Sequence, residues 1–513
     1  MAMRLTGMYS GLDTDTIIQE LVAAKRTKVD DKTKEQKKLK IKQDTWSELN
    51  KKLKSLQSRV AGMRLSDAYT KRTTKVSNSS IANVITGDGA VNGVQTLKVN
   101  KLAKIGYLTG GKVSKSGGNA NALSTLKDLG MADGDGKISL ETNGKTVDIN
   151  ISEETTISDV LSQLKSAGLN ASFDENQQRL FISSKDYGSA NDFTIKAADG
   201  DAVGQAALEA LGLGTIKTPE EMAAATEEEK AKWATKVDGQ DAEIVLNGAT
   251  FTSKNNVFDI NGLTITALTE SSETVTLTTE MDTDGIYDMI KGFLKQYNEV
   301  MNEMDKLYNA SSAKGYEPLT NDEKMSMSDS EIEEWEKKIK DSILRKDENL
   351  STVSSSLREI MSGGISVGGK TMYLFDFGID TLGYFDAEEN ERNMYHIDGD
   401  ADDAETSGKA DKLRGMIASD PDTVINFFSQ LSQQLYGKMF EMSKSVNGYR
   451  SYGNFYDDKK MQSDYDDYTS KIKDLEDKLT AYEDKWYAKF SKMETAMAKM
   501  QSSQNALAGL LGG

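Results

Sequence analysis

Residues 39–63 read LKIKQDTWSELNKKLKSLQSRVAGM. Leu39, Trp46, Leu53 and Val60 recur every seven residues, and Leu49, Leu56 and Met63 fill the alternate positions. Lys42 is the one polar residue in the seam. Alternating steps of three and four place these side chains on one stripe of an α-helix, the pattern of a helix that packs along another. The far end of the chain carries the same signal. Tyr465, Ile472, Leu479, Trp486, Met493, Met500 and Leu507 hold one apolar position through successive heptads. The companion seam is Tyr468, Leu475 and Tyr482, and then moves to Phe490 and Met497. The four-residue steps from Tyr482 to Phe490 form part of an eleven-residue spacing, which locally relaxes left-handed supercoiling. Each end wants a helical partner, and the simplest partner for each is the other.

Upstream of residue 39, Ser10-Gly11-Leu12-Asp13 is a turn, and Asp13 or Thr14 can cap the helix that follows. Ile17, Ile18, Leu21 and Val22 give a short apolar face. Residues 25–38 are almost entirely charged or polar, with Val29 the exception.

The middle of the chain changes character. Residues 76–111 and 237–280 are rich in Thr, Val and Ile with Gly and Asn turns; 244–248, 263–266 and 274–277 are strand material. Residues 137–196 predict strands near 137–140, 146–149, 170–173 and 179–183 with a helix over 158–167, followed by a Glu/Ala-rich helical stretch at 219–234. From Thr283 the helical period returns, with further helices over 329–340, 349–361 and 421–442. The expected fold is therefore an α+β multidomain chain. Its terminal helices pair in a coiled coil or helical bundle, and β-rich and α+β head domains are inserted between them. The expected domains are nested: 1–38 with 476–513, 39–75 with 281–475, 76–111 with 237–280, and 112–236.

Composition narrows the chemistry. The 513 residues include 63 Lys+Arg against 81 Asp+Glu, one His and no Cys, for a net charge of −18. Without Cys there are no disulfides, thiol nucleophiles or thiolate-bound metals. The negative charge argues against nucleic acid as the main partner, and no apolar run is long enough to predict membrane insertion. Residues 1–75 are locally basic, with 18 Lys+Arg and 9 Asp+Glu, but the lysines interleave with acids at helical spacing and predict a solvated helix face. The single histidine, His396, sits among acidic residues and predicts a structural partner. Asp398–Asp403 resembles the start of a calcium loop yet has Asp403 where Gly belongs and Lys409 where the bidentate Glu belongs. Asp133–Gly136 predicts a hairpin turn. Gly212-Leu213-Gly214 lacks a dinucleotide fingerprint. No enzyme, metal or cofactor is expected.

The opening Leu5-Thr6-Gly7-Met8-Tyr9-Ser10-Gly11-Leu12-Asp13-Thr14-Asp15 resembles the flagellar filament cap family, also called hook-associated protein 2. Other stretches resemble that family in the same order: Ile286–Asn298, GYEPLTNDEK at Gly315–Lys324, Glu331–Arg345, Leu357-Arg358, Phe377–Ile379, Asp420–Val424 with Phe427-Phe428, and Phe490–Met500. Ile157–Leu169 with Arg179–Ser183 is similar to a small motif shared by flagellins and hook-associated proteins. The resemblance is weakest at 112–135 and 199–236.

The resemblance implies a non-enzymatic ring of copies at the distal filament tip, which retains exported flagellin and promotes its folding and insertion. It implies an extracellular protein exported without a cleaved signal. Its expected partners are further copies of itself, flagellin, the hook–filament junction protein, the flagellar type III export apparatus and a cytoplasmic export chaperone. Helical-seam contacts to filament or oligomer are expected from Ile17, Ile18, Leu21, Leu39, Trp46, Leu49, Leu53 and Leu56, and from Leu479, Tyr482, Trp486, Phe490, Met493, Met497, Met500 and Leu507. The outer parts of both arms are expected to be poorly ordered in the free protein. Two other readings fit the same pattern: a surface adhesin whose head grips host glycan or mucin, and a flagellin-like or hook–filament junction subunit.

Overall fold

The computed structural model describes residues 10–131, 133–383 and 385–511; Leu5–Tyr9 of the opening motif lie outside them. The helices in chain order are α1 (Thr14–Gly62), α2 (Ile157–Ser166), α3 (Ala202–Ala210), α4 (Pro219–Ala224), α5 (Glu227–Lys232), α6 (Thr283–Asn309), α7 (Asn321–Met325), α8 (Asp329–Ser342), α9 (Glu348–Ser362), α10 (Lys412–Ser419), α11 (Pro421–Met442) and α12 (Asp458–Leu511). The chain forms two compact units, one of residues 1–70 with 283–513 and one of 71–282.

The first unit is helical. Its backbone is α1 and α12, which at 1.5 Å per residue are roughly 70 and 80 Å long. Asp13 caps α1, its carboxylate accepting from the Thr16 N–H at 3.1 Å. The two helices pack against each other, as the matching heptads predict, and α1 also packs on α6 and α11. This divides α1 into two regimes. Trp46, Leu49, Leu53, Leu56 and Val60 are fully buried, because other helices surround that half. They meet a core that includes Ile290, Phe293 and Met301 of α6, Leu350 and Leu357 of α9, and Phe427, Phe428 and Leu431 of α11. Phe377 wedges against both Phe427 and Phe428, at ring-centroid distances of 4.5 and 5.5 Å. The polar residue in the α1 seam has a partner: Lys42 pairs at 2.7 Å with Asp347, the buried carboxylate that also caps α9.

Just before α12 the chain is fixed to α1 by specific contacts. The Trp46 ring stacks on Tyr456 at 5.5 Å with planes 8° apart. Asn50 is buried; its amide donates to Asn454 at 2.9 Å and its carbonyl accepts from the Phe455 N–H at 3.0 Å.

The second unit is built on sheets. A five-stranded antiparallel sheet has the order Arg72–Val76, Val275–Met281, Gly93–Lys101, Ala242–Leu246 and Ala249–Ser253. A three-stranded sheet of Val257–Ile260, Leu263–Ala267 and Ala82–Thr86 shares its core, where Leu97, Val99, Ile244, Ile265, Val275 and Leu277 are buried. Two hairpins close on Asn247-Gly248 and Asn261-Gly262, all four residues at positive φ. That is the two-residue turn whose twist matches paired strands, and Asn and Gly tolerate it best.

The chain leaves this sheet pair and returns side by side, Lys104 and Gln240 exchanging backbone hydrogen bonds of 2.8 and 3.0 Å. Between those points lie a second core and two more sheets. Tyr107–Thr109 pairs with Arg179–Ser184 and Ala234–Val237, and so belongs to the insert's five-stranded sheet. The other sheet is Lys145–Ile151, Gly136–Thr142 and Phe193–Ala197. A capping box of Thr156 and Asp159 starts α2. Two expectations change. Asp133–Gly136 closes no hairpin, because Gly136–Thr142 pairs only with later strands. The stretch 219–234 is two short helices, because Thr226 offers a second capping box with Glu229 and Ala234 joins a strand.

Asn50→Ala removes the acceptor of a buried N–H and is expected to cost about 1–3 kcal/mol. A lowered urea midpoint for the helical unit, with the sheet unit unchanged, is the readout.

Candidate functional site

The outer half of α1 meets α12 in a different manner from the inner half. Contacts run antiparallel: Ser10 lies by Glu494, Asp15 by Tyr487, Gln36 by Thr469 and Asn50 by Asn454. Glu494 is buried and accepts from both the N–H and the hydroxyl of Ser10. The Tyr487 hydroxyl donates to Asp15 at 3.0 Å. The Gln36 amide donates to the Thr469 hydroxyl at 2.6 Å and to the Tyr465 carbonyl.

On this half α1 buries only Thr14, Ile18, Val22 and Val29. The polar stretch 25–38 still has a partner, because the facing seam is aromatic. The Lys25 ammonium sits 4.0 Å from the Tyr482 ring centroid, and Lys32 is 5.9 Å from that of Tyr468. On α12 itself Lys489 covers Trp486 at 4.4 Å, and Trp486 meets Tyr482 and Phe490 edgewise or tilted. A lysine stem can lie along an apolar surface while its ammonium faces a ring or water. The Lys32 ammonium, 2.6 Å away, also holds the Glu35 carboxyl below its usual range.

Two buried polar atoms in this seam have no hydrogen-bond partner: the Thr14 hydroxyl and the Trp486 indole N–H. Leaving such a group unpaired costs about 1–3 kcal/mol. The outer pairing is thus held by half-buried rings and polar contacts; the inner core also leaves the Trp46 indole N–H and the Tyr297 hydroxyl unpartnered, but encloses them among fully buried apolar side chains.

The structure brings together much of the expected seam. Ile18 is buried, and Ile17, Leu39, Leu479, Tyr482, Trp486, Phe490 and Met493 are half-buried. Trp46, Leu49, Leu53 and Leu56 belong instead to the inner core. Four seam residues face solvent: Leu21, and on the last turns of α12 Met497, Met500 and Leu507, at 37, 72 and 58% exposure. Tyr487, Lys25 and Gln36 were missed by a search for apolar periodicity. The tyrosines of one helix and the lysines of the other were the available signal.

The acidic loop around His396 has a different role. The His396 Nδ1 lies 2.7 Å from Asp403, Lys409 pairs with Asp398 at 2.9 Å, and Lys291 spans Asp400 and Asp402 at 2.6 Å each. Burial would lower the Lys291 ammonium, but the two carboxylates outweigh it and raise it. Burial would raise the Asp403 carboxyl, but bonds from His396 and the Glu405 N–H outweigh it, and the net direction is down. These carboxylates neutralise cations of the fold, and no three acidic or histidine groups among the described residues converge as metal ligands.

Because the folded Asp403 titrates below its unfolded value near 3.9, its contribution is full at neutral pH and is lost as pH falls through the folded value. Asp403→Asn should therefore flatten the acid limb of the helical unit's urea-midpoint profile.

Residues 239–502 match the family model described as flagellar hook-associated protein 2 C-terminus, and residues 10–105 match its N-terminus counterpart. The flagellar hook-associated protein 2 of Halalkalibacterium halodurans is 24% identical over 451 residues, covering 82% of this chain and 78% of the relative. That of Thermotoga maritima is 25% identical over 490 residues, covering 92% and 71%. A crystal structure of the D1–D2–D3 domains of the flagellar cap protein FliD from Escherichia coli aligns with a TM-score of 0.47 and 17% identity, over 83% of this chain and 99% of that one. With its two family matches covering α1 and most of α12, the chain belongs to the flagellar hook-associated protein 2 family, the filament-cap proteins of the flagellum.

Proposed function

We propose that the outer α1–α12 pair is the attachment leg of this filament cap, and that it works by exchanging its self-pairing for helices of the filament. One observation carries the reading. On the outer half α1 buries only Thr14, Ile18, Val22 and Val29, and the α12 rings that face it, Tyr482, Trp486 and Phe490, stay half-buried, whereas from Trp46 to Val60 the seam is fully buried among several helices. A cap must hold the filament tip and yet release at each insertion of flagellin. A pairing that buries few side chains against a single neighbouring helix opens at low cost, and the ordering cost on rebinding keeps attachment reversible. The inner bundle stays folded throughout.

In this reading the copies form a ring at the distal tip, outside the cell. Flagellin arriving there is retained and folds against the cap, and the first filament contact is the hook–filament junction protein. The chain reaches the tip through the flagellar type III export apparatus, delivered by a cytoplasmic chaperone. The mechanism is differential packing and uses no nucleotide and no covalent step.

The direct test is deletion of the gene, complemented with the full-length chain or with one lacking residues 476–513. Absent filaments and shed flagellin in the deletion, restored only by the full-length chain, are the expected outcome. Normal filaments in the deletion would end the cap reading, and rescue by the truncated chain would end the leg reading. A second test strengthens the seam instead of cutting it. Thr14→Val removes the unpartnered hydroxyl at nearly constant shape, so amide exchange at 14–30 should slow, by about tenfold for each 1.4 kcal/mol gained, and filaments should lengthen more slowly. Faster exchange in that variant would contradict the penalty argument.

A further inference from the structure

We propose that a groove between α1 and α8 docks an acidic amphipathic helix of a partner protein. The groove encloses about 510 Å³. Ile41 of α1, Pro318 and Leu319 of the loop before α7, Ile339 of α8 and Tyr465 of α12 make its floor. Leu319 and Ile339 are buried within the fold, while Ile41 and Tyr465 remain half-exposed to the groove.

The rim is basic. Lys37 and Lys40 stand one turn apart on the α1 wall, Lys337 and Lys340 one turn apart on the α8 wall, and Lys324 lies at one end. The one lining carboxylate, Glu336, is held by Lys324 at 2.5 Å. Lys40 pairs with Asp44 and Lys340 with Glu48, but both lysine side chains stay more than half exposed. The Lys37 ammonium donates to the Leu319 carbonyl at 2.8 Å, a bond that leaves its charge uncompensated. Lys337 is exposed and has no ionic partner among the described residues. With Asp44 and Glu48 counted beside Glu336, five ammonium groups meet three carboxylates, and the Lys37 and Lys337 charges remain uncompensated, a positive patch on a chain of net charge −18.

The pattern specifies the occupant. Two rows of lysines at i, i+3 spacing flank an apolar floor, and their stems extend that floor. The complement is a helix with an apolar i, i+3, i+4 stripe and Asp or Glu on both shoulders. An extended polyanion would satisfy the rim and leave the floor uncovered. The acidic remainder of the chain repels such a helix elsewhere, so the groove is both the attractive site and the selective one.

The probe is a fluorescein-labelled helical peptide of about four turns, with a Leu stripe and Glu shoulders, titrated into the full-length chain and read by anisotropy. Saturable binding is expected, weakened at raised salt. It should weaken about tenfold or more in Lys337→Glu/Lys340→Glu, and likewise when Gln replaces Glu in the peptide. Both lysines are exposed, so circular dichroism of the double variant should match the parent. Absence of saturation, equal binding by the double variant, or equal binding of the Gln peptide would each overturn the proposal. Sedimentation velocity addresses the other occupant: self-association that the double variant abolishes would assign the groove to a second copy and overturn the assignment to a separate partner.

Discussion

The fold depends on the meeting of α1 with the chain around the start of α12. Once residues near 50 and near 454 are held together, everything between them is an insertion that must leave and return to one helical unit. A heptad seam alone does not fix that meeting, because apolar stripes slide past one another at modest cost. The polar contacts fix it. The Asn50 side chain serves both Asn454 and the Phe455 N–H, and Trp46 lies flat on Tyr456. A slip of one turn would strand a buried amide and unstack the rings.

From that anchor outward, stability along α1 is graded by how many neighbours each turn has. Around Trp46 and Leu53, helices α6, α11 and the chain leading into α12 enclose the stripe. Toward Thr14 the described contacts are to α12 alone, and lysines and tyrosines replace leucines. Lysine–aromatic contacts contribute about 0.5–1 kcal/mol each when exposed, no more than the cost of leaving one buried polar atom unpartnered, about 1–3 kcal/mol. A pairing so balanced suits a surface that must change partners. The same helix can therefore be rigid scaffold at one end and exchangeable contact at the other, without a hinge.

The charges elsewhere follow a consistent logic. Carboxylates dense enough to suggest an ion site, at Asp398–Asp403, are each spent on a lysine or on His396. Lysines that the sequence scatters along two helices converge on one groove. In both places the sequence shows an excess of one sign, and only the packing shows whether it is neutralised.

The sequence by itself determined the α+β class, most of the long elements and the family. Heptads at 39–63 and 465–507, the helix over 421–442 and the strand material at 263–266 and 274–277 are periodic signals written locally. The order of motifs from Ser10 to Met500 carried the family resemblance. Tertiary structure decided which side chains of one seam are core and which are contact surface. Trp46 and Trp486 occupy equivalent heptad positions, yet one is enclosed by several helices and the other is half-buried beside a single helix. It also decided that Tyr107–Thr109 joins the insert's sheet, and that Lys37 and Lys337, three hundred residues apart, line one groove. The physical reason is that periodicity records the face a residue occupies on its own element, whereas burial, pairing and local charge depend on how many other elements reach that face.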